Sequence, residues 1–155
     1  MAHLWHLSKS IMQRIEELLA TVRRARKRTG AILANSHFED VIDQSKQAGF
    51  VVVDGSAKHN GKLLLTDDLL IERVKQLADG SPCLFLNLEL YVAPRLNHPG
   101  FLKQLVQKLV ILEPRQPIVF LLYSARVFSL FNAVYGHALP QPQHTLDLVD
   151  NQSFA

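Results

Sequence analysis

The segment Cys83-Leu84-Phe85-Leu86-Asn87-Leu88 decides the fold. Apart from one asparagine it is apolar throughout, without the alternation of polar and apolar side chains that a strand with one solvated face shows. Such a run is typical of a strand buried on both faces at the centre of a parallel sheet. A second run of this kind, Ile118–Leu122, follows further along the chain. We therefore expect a sheet in which these two strands are central.

Helical and strand-like segments alternate on both sides of this segment. Further short strands are expected at residues 31–34 and 50–53, with helices at about 7–28, 38–48, 67–78, 99–112 and 125–134. Strands that alternate with helices predict βαβ units and a parallel sheet covered on both faces. The expected fold is a single three-layer α/β domain with four or five mainly parallel strands.

Local signals predict where several of these elements begin and end. Thr29-Gly30 is expected to stop the first helix, and Ser36 with Glu39 forms a capping-box pattern at the start of the second. Pro99 suits the first turn of its helix. The inward-facing residues of the two helices that flank the central segment are expected to be Leu69, Leu70, Val74 and Leu77, and Leu102, Leu105, Val106, Leu109 and Val110.

Composition bounds the class of protein. The chain has 155 residues, of which 48% are hydrophobic and 20% charged, so we expect one globular domain rather than a disordered chain. The α/β domain is predicted to span residues 1–136, and residues 137–155, with two prolines and little core-forming material, to be an extended or mobile tail.

The sequence also predicts a compartment. No apolar run approaches the roughly 20 residues of a membrane span, and the N-terminal residues lack the pattern of a signal peptide. Cys83 is the single cysteine, which fits a reducing compartment. We expect a cytoplasmic protein with no membrane partner.

The segment from Asp54 to Leu63 nearly matches the phosphate-binding pattern G-x-x-x-x-G-K-S/T. Gly61-Lys62 fits, but Ser56 stands in place of the first glycine and Leu63 in place of the hydroxyl that binds Mg²⁺. We therefore expect no ATP hydrolysis and no cofactor. Because Asn60-Gly61 is a strong turn signal, a local hairpin that returns through residues 62–65 is the alternative interpretation.

Cationic residues cluster near the end of the first predicted helix. The cluster consists of Arg23, Arg24, Arg26, Lys27 and Arg28. With Lys58, Lys62 and Arg126 it is the candidate nucleic-acid surface of a chain whose net charge is +3. The simpler interpretation is a solvated helix end, where cations complement the helix dipole.

Polar residues follow the predicted strands where a parallel sheet binds its ligands, outside the carboxyl ends of the strands. The candidate site there consists of Asp54, Asn87, Glu89 and Ser124. Asp54 and Glu89 would suit a divalent metal in a nuclease. Ordinary strand-end polarity explains the same residues, so no catalytic residue and no metal ligand is assigned.

One segment, Cys83–Leu96, resembles the Walker B strand and following loop of the small P-loop ATPases of BREX phage-defence systems. That family has an apolar strand ending Asp-Asn-x-Glu, then an apolar pair and a Pro-x-Leu turn. The positions that match are Asn87, Glu89, Pro94 and Leu96, and a looser similarity extends to His137. Leu86 stands where the family has its Mg²⁺-binding aspartate, so the resemblance implies a non-catalytic, P-loop-like module of a defence assembly.

Three functional hypotheses follow from the sequence. The leading one is a non-catalytic interaction or adaptor subunit of a bacterial multiprotein system, with a protein partner and a setting in anti-phage defence. The alternative is a nucleic-acid-binding protein that uses the Arg23–Arg28 cluster. A metal-dependent nuclease that uses Asp54 and Glu89 is the third.

Overall fold

The computed structural model describes residues 10–25, 28–55, 66–77, 80–93, 97–138 and 144–149. Within them the chain forms one five-stranded parallel sheet with helices on both faces, which confirms the predicted α/β class. The strands are β1 (Thr29–Leu33), β2 (Val51–Asp54), β3 (Cys83–Leu86), β4 (Ile118–Leu122) and β5 (Thr145–Asp147). The helices are α1 (Ile11–Arg24), α2 (Phe38–Gln47), α3 (Asp67–Leu77), α4 (Leu88–Val92), α5 (Pro99–Val110) and α6 (Ala125–Ala138).

The order of the strands determines which loops share an edge. The strands lie in the order β2-β3-β4-β1-β5, and every neighbouring pair is parallel. Leu33 at the end of β1 pairs with Leu122 at the end of β4, and Leu86 at the end of β3 pairs with Leu121. The carboxyl ends of these three strands therefore lie side by side.

Each face of the sheet has its own apolar layer. α1 and α2 pack on the face that carries Ile32 and Leu121. The other helices cover the face that carries Phe85 and Phe120, whose rings meet edge to face at 5.8 Å between centroids. The predicted inner face of α5 is confirmed by the burial of Leu102, Leu105, Val106, Leu109 and Val110.

The first helix begins and ends at different signals from those predicted. Ser10 caps α1, because its side chain accepts the N–H of Gln13 while the Gln13 side chain accepts the N–H of Ser10. The predicted stop at Thr29-Gly30 is wrong, since both residues lie in β1. A Cβ on Gly30 would lie 2.7 Å from Cγ2 of Val22 and 3.1 Å from the His144 carbonyl oxygen. Close packing of α1 on β1 therefore explains this glycine.

The start of α2 also differs from its predicted capping box. His37 is the N-cap, and no described side chain caps the helix. The Asn35 side chain instead accepts the N–H of Ser36, and Glu39 stays exposed. A short amide side chain that bonds to the neighbouring backbone competes with a helix cap, which accounts for the difference.

Two predicted apolar positions lie elsewhere than expected. β3 ends at Leu86, and Leu88 begins α4, because Asn87 has a left-handed backbone with φ of 66°. On α3, Leu70 and Val74 are buried, but Leu69 is 57% exposed. Leu70 and Val74 are four residues apart and share the buried face of the helix, whereas the neighbouring Leu69 points away from it. The predicted apolar stripe is therefore one residue too wide.

Part of the segment expected to be a tail, residues 137–138 and 144–149, packs with the sheet. α6 continues to Ala138, and β5 extends the sheet through the pairing of Ile32 with Leu146. Leu148 is buried against the α1 and α2 side. Residues beyond 136 therefore take part in the sheet and its packing, although their few apolar side chains gave little signal in the sequence.

The hairpin or phosphate-binding-like loop expected at residues 56–65 lies outside the described residues, so that expectation stays a prediction. In the part of the chain that the structure describes, no helix is long and apolar enough to cross a membrane.

Candidate functional site

The candidate site lies where the chain leaves β1 and β4 in opposite directions. From β1 the chain passes through α2 toward β2, whereas from β4 it passes through α6 toward β5, on the opposite face of the sheet. Open α/β sheets bind ligands in the crevice outside the carboxyl ends of the strands, at such a topological switch point. We call this region the carboxyl edge, and it includes the residues that directly follow β1, β2, β3 and β4.

Two of the predicted site residues pair with each other at the carboxyl edge. Nδ2 of Asn87 donates to Oδ1 of Asp54 at 2.7 Å. The same strand ends are joined by the N–H of Gly55, which donates to the carbonyl oxygen of Leu86 at 2.8 Å, and by the Tyr91 hydroxyl, which donates to the carbonyl of Gly55. The end of β2 is therefore tied to the end of β3.

The other two predicted residues, Glu89 and Ser124, join β3 to β4. Oε2 of Glu89 accepts the N–H of Tyr123 at 2.6 Å and the N–H of Ser124 at 2.9 Å. The left-handed turn at Asn87 and the first turn of α4 place the carboxyl group there. Glu89 is 5% exposed, and its Oε1 is buried with no hydrogen-bond partner among the described residues.

Burial sets the electrostatics of Glu89. Desolvation raises the pKa of Glu89 above its ordinary value of 4.5, although the N–H groups of Ser124, Tyr123 and Glu89 itself act in the opposite direction. Burial, and then the Glu89 charge, also raise the pKa of Tyr123. The Glu89 charge therefore acts on the phenol group, although the Tyr123 side chain is 50% exposed.

The predicted metal pair does not converge. Asp54 bonds to Asn87 on the β2 side of β3, whereas the Glu89 carboxylate bonds to backbone of the β4 side. Among the residues that the structure describes, no three His, Cys, Asp or Glu side chains are grouped as metal ligands. The geometry thus gives the nuclease hypothesis no support beyond the residue types.

Cys83 behaves as a core residue. It is buried in the apolar layer beneath α3 to α6, and burial raises the pKa of its thiol to about 12. A thiol with so high a pKa is a poor nucleophile at neutral pH, because the thiolate is the reactive form.

The described residues of the basic cluster, Arg23, Arg24 and Arg28, lie at the opposite edge of the sheet. Arg23 donates to the carbonyl of Ala48 at 2.7 Å and lies over the Phe50 ring, 5.3 Å from its centroid. Arg28 donates to the carbonyl of Arg115. These two guanidinium groups hold together the segments that lead into β1, β2 and β4, which is a structural role.

The remaining cationic candidates are divided. Arg24 and Arg126 are exposed, but Arg24 ends α1 near the start of β1, while Arg126 follows β4 at the carboxyl edge. They therefore do not share one surface. The other candidates, Arg26, Lys27, Lys58 and Lys62, lie outside the described residues.

The most informative contact has no sequence signature. The strand-end acids and amides could be found from their places after apolar runs, but the partners of Glu89 are backbone N–H groups. Any residue except proline supplies such a group. These groups reach Glu89 because β3 and β4 are adjacent in the sheet, and that adjacency depends on the order of the strands.

Searches against protein-family models, curated proteins and solved structures found no match to this chain. The function is therefore interpreted from the contacts of its own residues.

Proposed function

We propose that this chain is a non-catalytic interaction or adaptor subunit of a bacterial multiprotein system, and that it binds its protein partner through the carboxyl edge. The observation that carries the proposal is the use of Glu89. Its carboxylate accepts hydrogen bonds from the two backbone N–H groups that follow β4. These groups lie at the topological switch point, where they could otherwise bind the anionic group of a ligand.

The pairing of the other strand-end groups supports the same proposal. Asp54 and Asn87 satisfy each other, so these side chains hold the edge together. Side chains that are already paired in this way suit the recognition of a partner, because ordering them costs little further conformational entropy on binding.

Exposed apolar side chains supply contact area. Tyr123 at the carboxyl edge and Phe101 near the start of α5 are 50% and 61% exposed. Phe101 lines an open depression of about 300 Å³ together with Asn97, His98, Gly100 and Gln104. Aromatic residues are enriched in protein interfaces, where they bury a large area for few rotatable bonds.

The setting in anti-phage defence and in the cytoplasm belongs to this proposal. It is supported by the resemblance of Cys83–Leu96 to the BREX family and by the single cysteine. Leu86 is the last residue of β3 and pairs with Leu121 of β4. At the position where the family has its Mg²⁺-binding aspartate, this chain therefore has an apolar residue of the sheet.

Nucleic-acid binding is the alternative hypothesis, and it has weaker support because Arg23 and Arg28 bond to backbone carbonyls. Each phosphate contact should add about 0.9 to the salt slope of duplex binding. If wild type binds duplex DNA tightly, and replacement of Arg23, Arg24 and Lys27 by Gln flattens that slope, this alternative becomes the better account.

Site-specific photo-crosslinking in the native host tests the proposal. A benzophenone amino acid replaces Tyr123 in one tagged variant and Arg24 in another, since both positions are exposed but lie at opposite edges of the sheet. We expect irradiation to give a protein adduct of defined mass from position 123 and a much weaker adduct, or none, from position 24. Equal adducts from both positions, or an adduct from position 24 alone, would contradict the proposal.

A further inference from the structure

The second oxygen of the Glu89 carboxyl group is the starting point. Oε2 accepts the N–H groups of Tyr123 and Ser124 at the end of β4. Oε1 is buried and lacks a hydrogen-bond donor within the described segments. A buried acceptor without a donor is costly, and native proteins rarely leave one. A donor from outside the described segments is therefore expected at Oε1.

The place of this oxygen points to a ligand from outside. The Glu89 carboxyl group lies within hydrogen-bond distance of Tyr123 and Ser124, the two residues with which the chain leaves β4 at the switch point. On the other side of that crevice lies the end of β1, since the N–H of Ala34 donates to the carbonyl of Leu122 at 3.0 Å. Asn35 and Ser36, which follow, are exposed.

The charges of the described residues at this edge favour a cation. Among the described residues at the ends of the first four strands and in the first turns of the helices that follow, the acids are Glu39, Asp40, Asp54 and Glu89, and the cation is Arg126. Asp40 also contacts Nδ1 of His37 at 2.9 Å. The first turn of α2 carries two of these acids, which already complement the positive end of the helix dipole. The excess of acids among these described residues favours a hydrogen-bond donor with positive charge over a phosphate or carboxylate.

Tyr123 adds an aromatic contact beside the carboxylate. Half of its side chain is exposed, and the Glu89 charge contributes to its raised pKa. A guanidinium group is planar, carries five donors and stacks on aromatic faces, so it can contact the ring and donate to a carboxylate together.

We propose that an arginine side chain of the protein partner enters the β1–β4 crevice, donates to Oε1 of Glu89 and stacks on Tyr123. This inference rests on the proposed function and names the group that the carboxyl edge recognises. Because Oε1 is not exposed in the free protein, entry requires a side-chain movement at the rim, where Tyr123 and Asn35 are exposed.

An NMR titration tests this inference on the full chain. The probe is the capped peptide acetyl-Gly-Arg-Gly-amide, and its matched control replaces arginine with the neutral isostere citrulline. The amide signals of Tyr123 and Ser124 report on the site, because both N–H groups donate to Glu89. We expect saturable shifts of these two signals with the arginine peptide and none with the citrulline peptide.

Three variants test which side chains contribute to the affinity for the arginine peptide. Glu89→Gln places a donor where Oε1 accepts, so the affinity should fall about tenfold or more, the range for a hydrogen bond to a charged group. Tyr123→Ala removes an exposed ring, which does not endanger folding, and should weaken binding by roughly two- to fivefold. Glu72→Gln, the same chemical change at an exposed site on α3, should leave the affinity within about twofold.

Several outcomes would overturn the inference. They are equal shifts with both peptides, no shift of the Tyr123 and Ser124 signals at tens of millimolar peptide, or full affinity in Tyr123→Ala. Binding of methylguanidine without binding of the peptide would also overturn it, since the site would then take a small free cation. If the peptide fails while position 123 crosslinks to a protein, this inference fails and the proposed function stands.

Discussion

Replacement of Gly55 by alanine tests how tightly the strand ends are joined beneath the carboxyl edge. A Cβ at this position would lie 2.4 Å from Cε1 and Cζ of the Phe85 ring and 2.9 Å from the carbonyl oxygen of Leu86. The ring is fully buried and packs against Phe120, so it has little room to move. Overpacking of this kind typically costs about 1–3 kcal/mol. We expect about 2–3 kcal/mol, because the Leu86 oxygen also accepts the N–H of Gly55.

Urea unfolding followed by circular dichroism measures this cost. Gly80→Ala is the matched control, since a Cβ on Gly80 would meet no described atom within 4 Å. The midpoint of Gly55→Ala should fall by roughly 1 M, given the m-values of small proteins. The midpoint of Gly80→Ala should correspond to a change within about 0.5 kcal/mol. Equal midpoints for the two variants would refute the close approach of β2 to Phe85.

Three further predictions concern the core, the basic cluster and pH. Leu105→Ala and Phe120→Ala should each lower the free energy of unfolding by about 2–5 kcal/mol, because both side chains are fully buried; wild-type urea midpoints would refute that packing. Arg23→Gln should cost roughly 0.5–1 kcal/mol, because its hydrogen bond to a carbonyl and its contact with an aromatic ring are lost. Arg24→Gln should cost less, and the reverse order in thermal melts would contradict the structural role of Arg23. The raised pKa of Glu89 means that the folded protein holds this proton more tightly than the unfolded chain. Its contribution to stability is therefore present below the unfolded pKa and lost as pH rises through the folded pKa, so wild type should lose stability relative to Glu89→Gln above about pH 4.5. A constant difference in urea midpoint across this range would count against the burial of the carboxyl group.

Much of the fold could be predicted because its signals are long and agree with each other. The apolar run Ile118–Leu122 forms β4 without change of bounds, and the stripe through Leu105 on α5 is buried as expected. In both cases apolar spacing, burial and element length all indicate the same structure.

Short local signals were less reliable, because packing partners compete with them. Gly30 looks like a helix stop, but the approach of Val22 to β1 explains it better. Asn87 looks like part of an apolar strand, yet its left-handed backbone ends β3 and its amide holds Asp54. β5 gave little signal because three residues joined to the sheet edge need few apolar side chains.

The candidate site could be predicted only as a set of residues. Asp54, Asn87, Glu89 and Ser124 do lie at one edge of the sheet, as parallel strands require. Their division into two separate contacts depends on which strands are neighbours. The order β2-β3-β4-β1-β5 cannot be read from periodicity, so the meeting of Glu89 with the end of β4 could not be foreseen.

The central claim, that the carboxyl edge binds a protein and not a nucleotide, is tested most directly by a thermal shift with ATP and Mg²⁺. A ligand at about 100 times its Kd stabilises a protein by about 2.7 kcal/mol. For a chain of this size that corresponds to a rise in Tm of roughly 5–10 °C. We predict a rise of less than about 1 °C at 1 mM ATP and 5 mM MgCl₂. A reproducible, saturable rise of several degrees, lost in Glu89→Gln but kept in Glu72→Gln, would contradict the account and make the edge a nucleotide site.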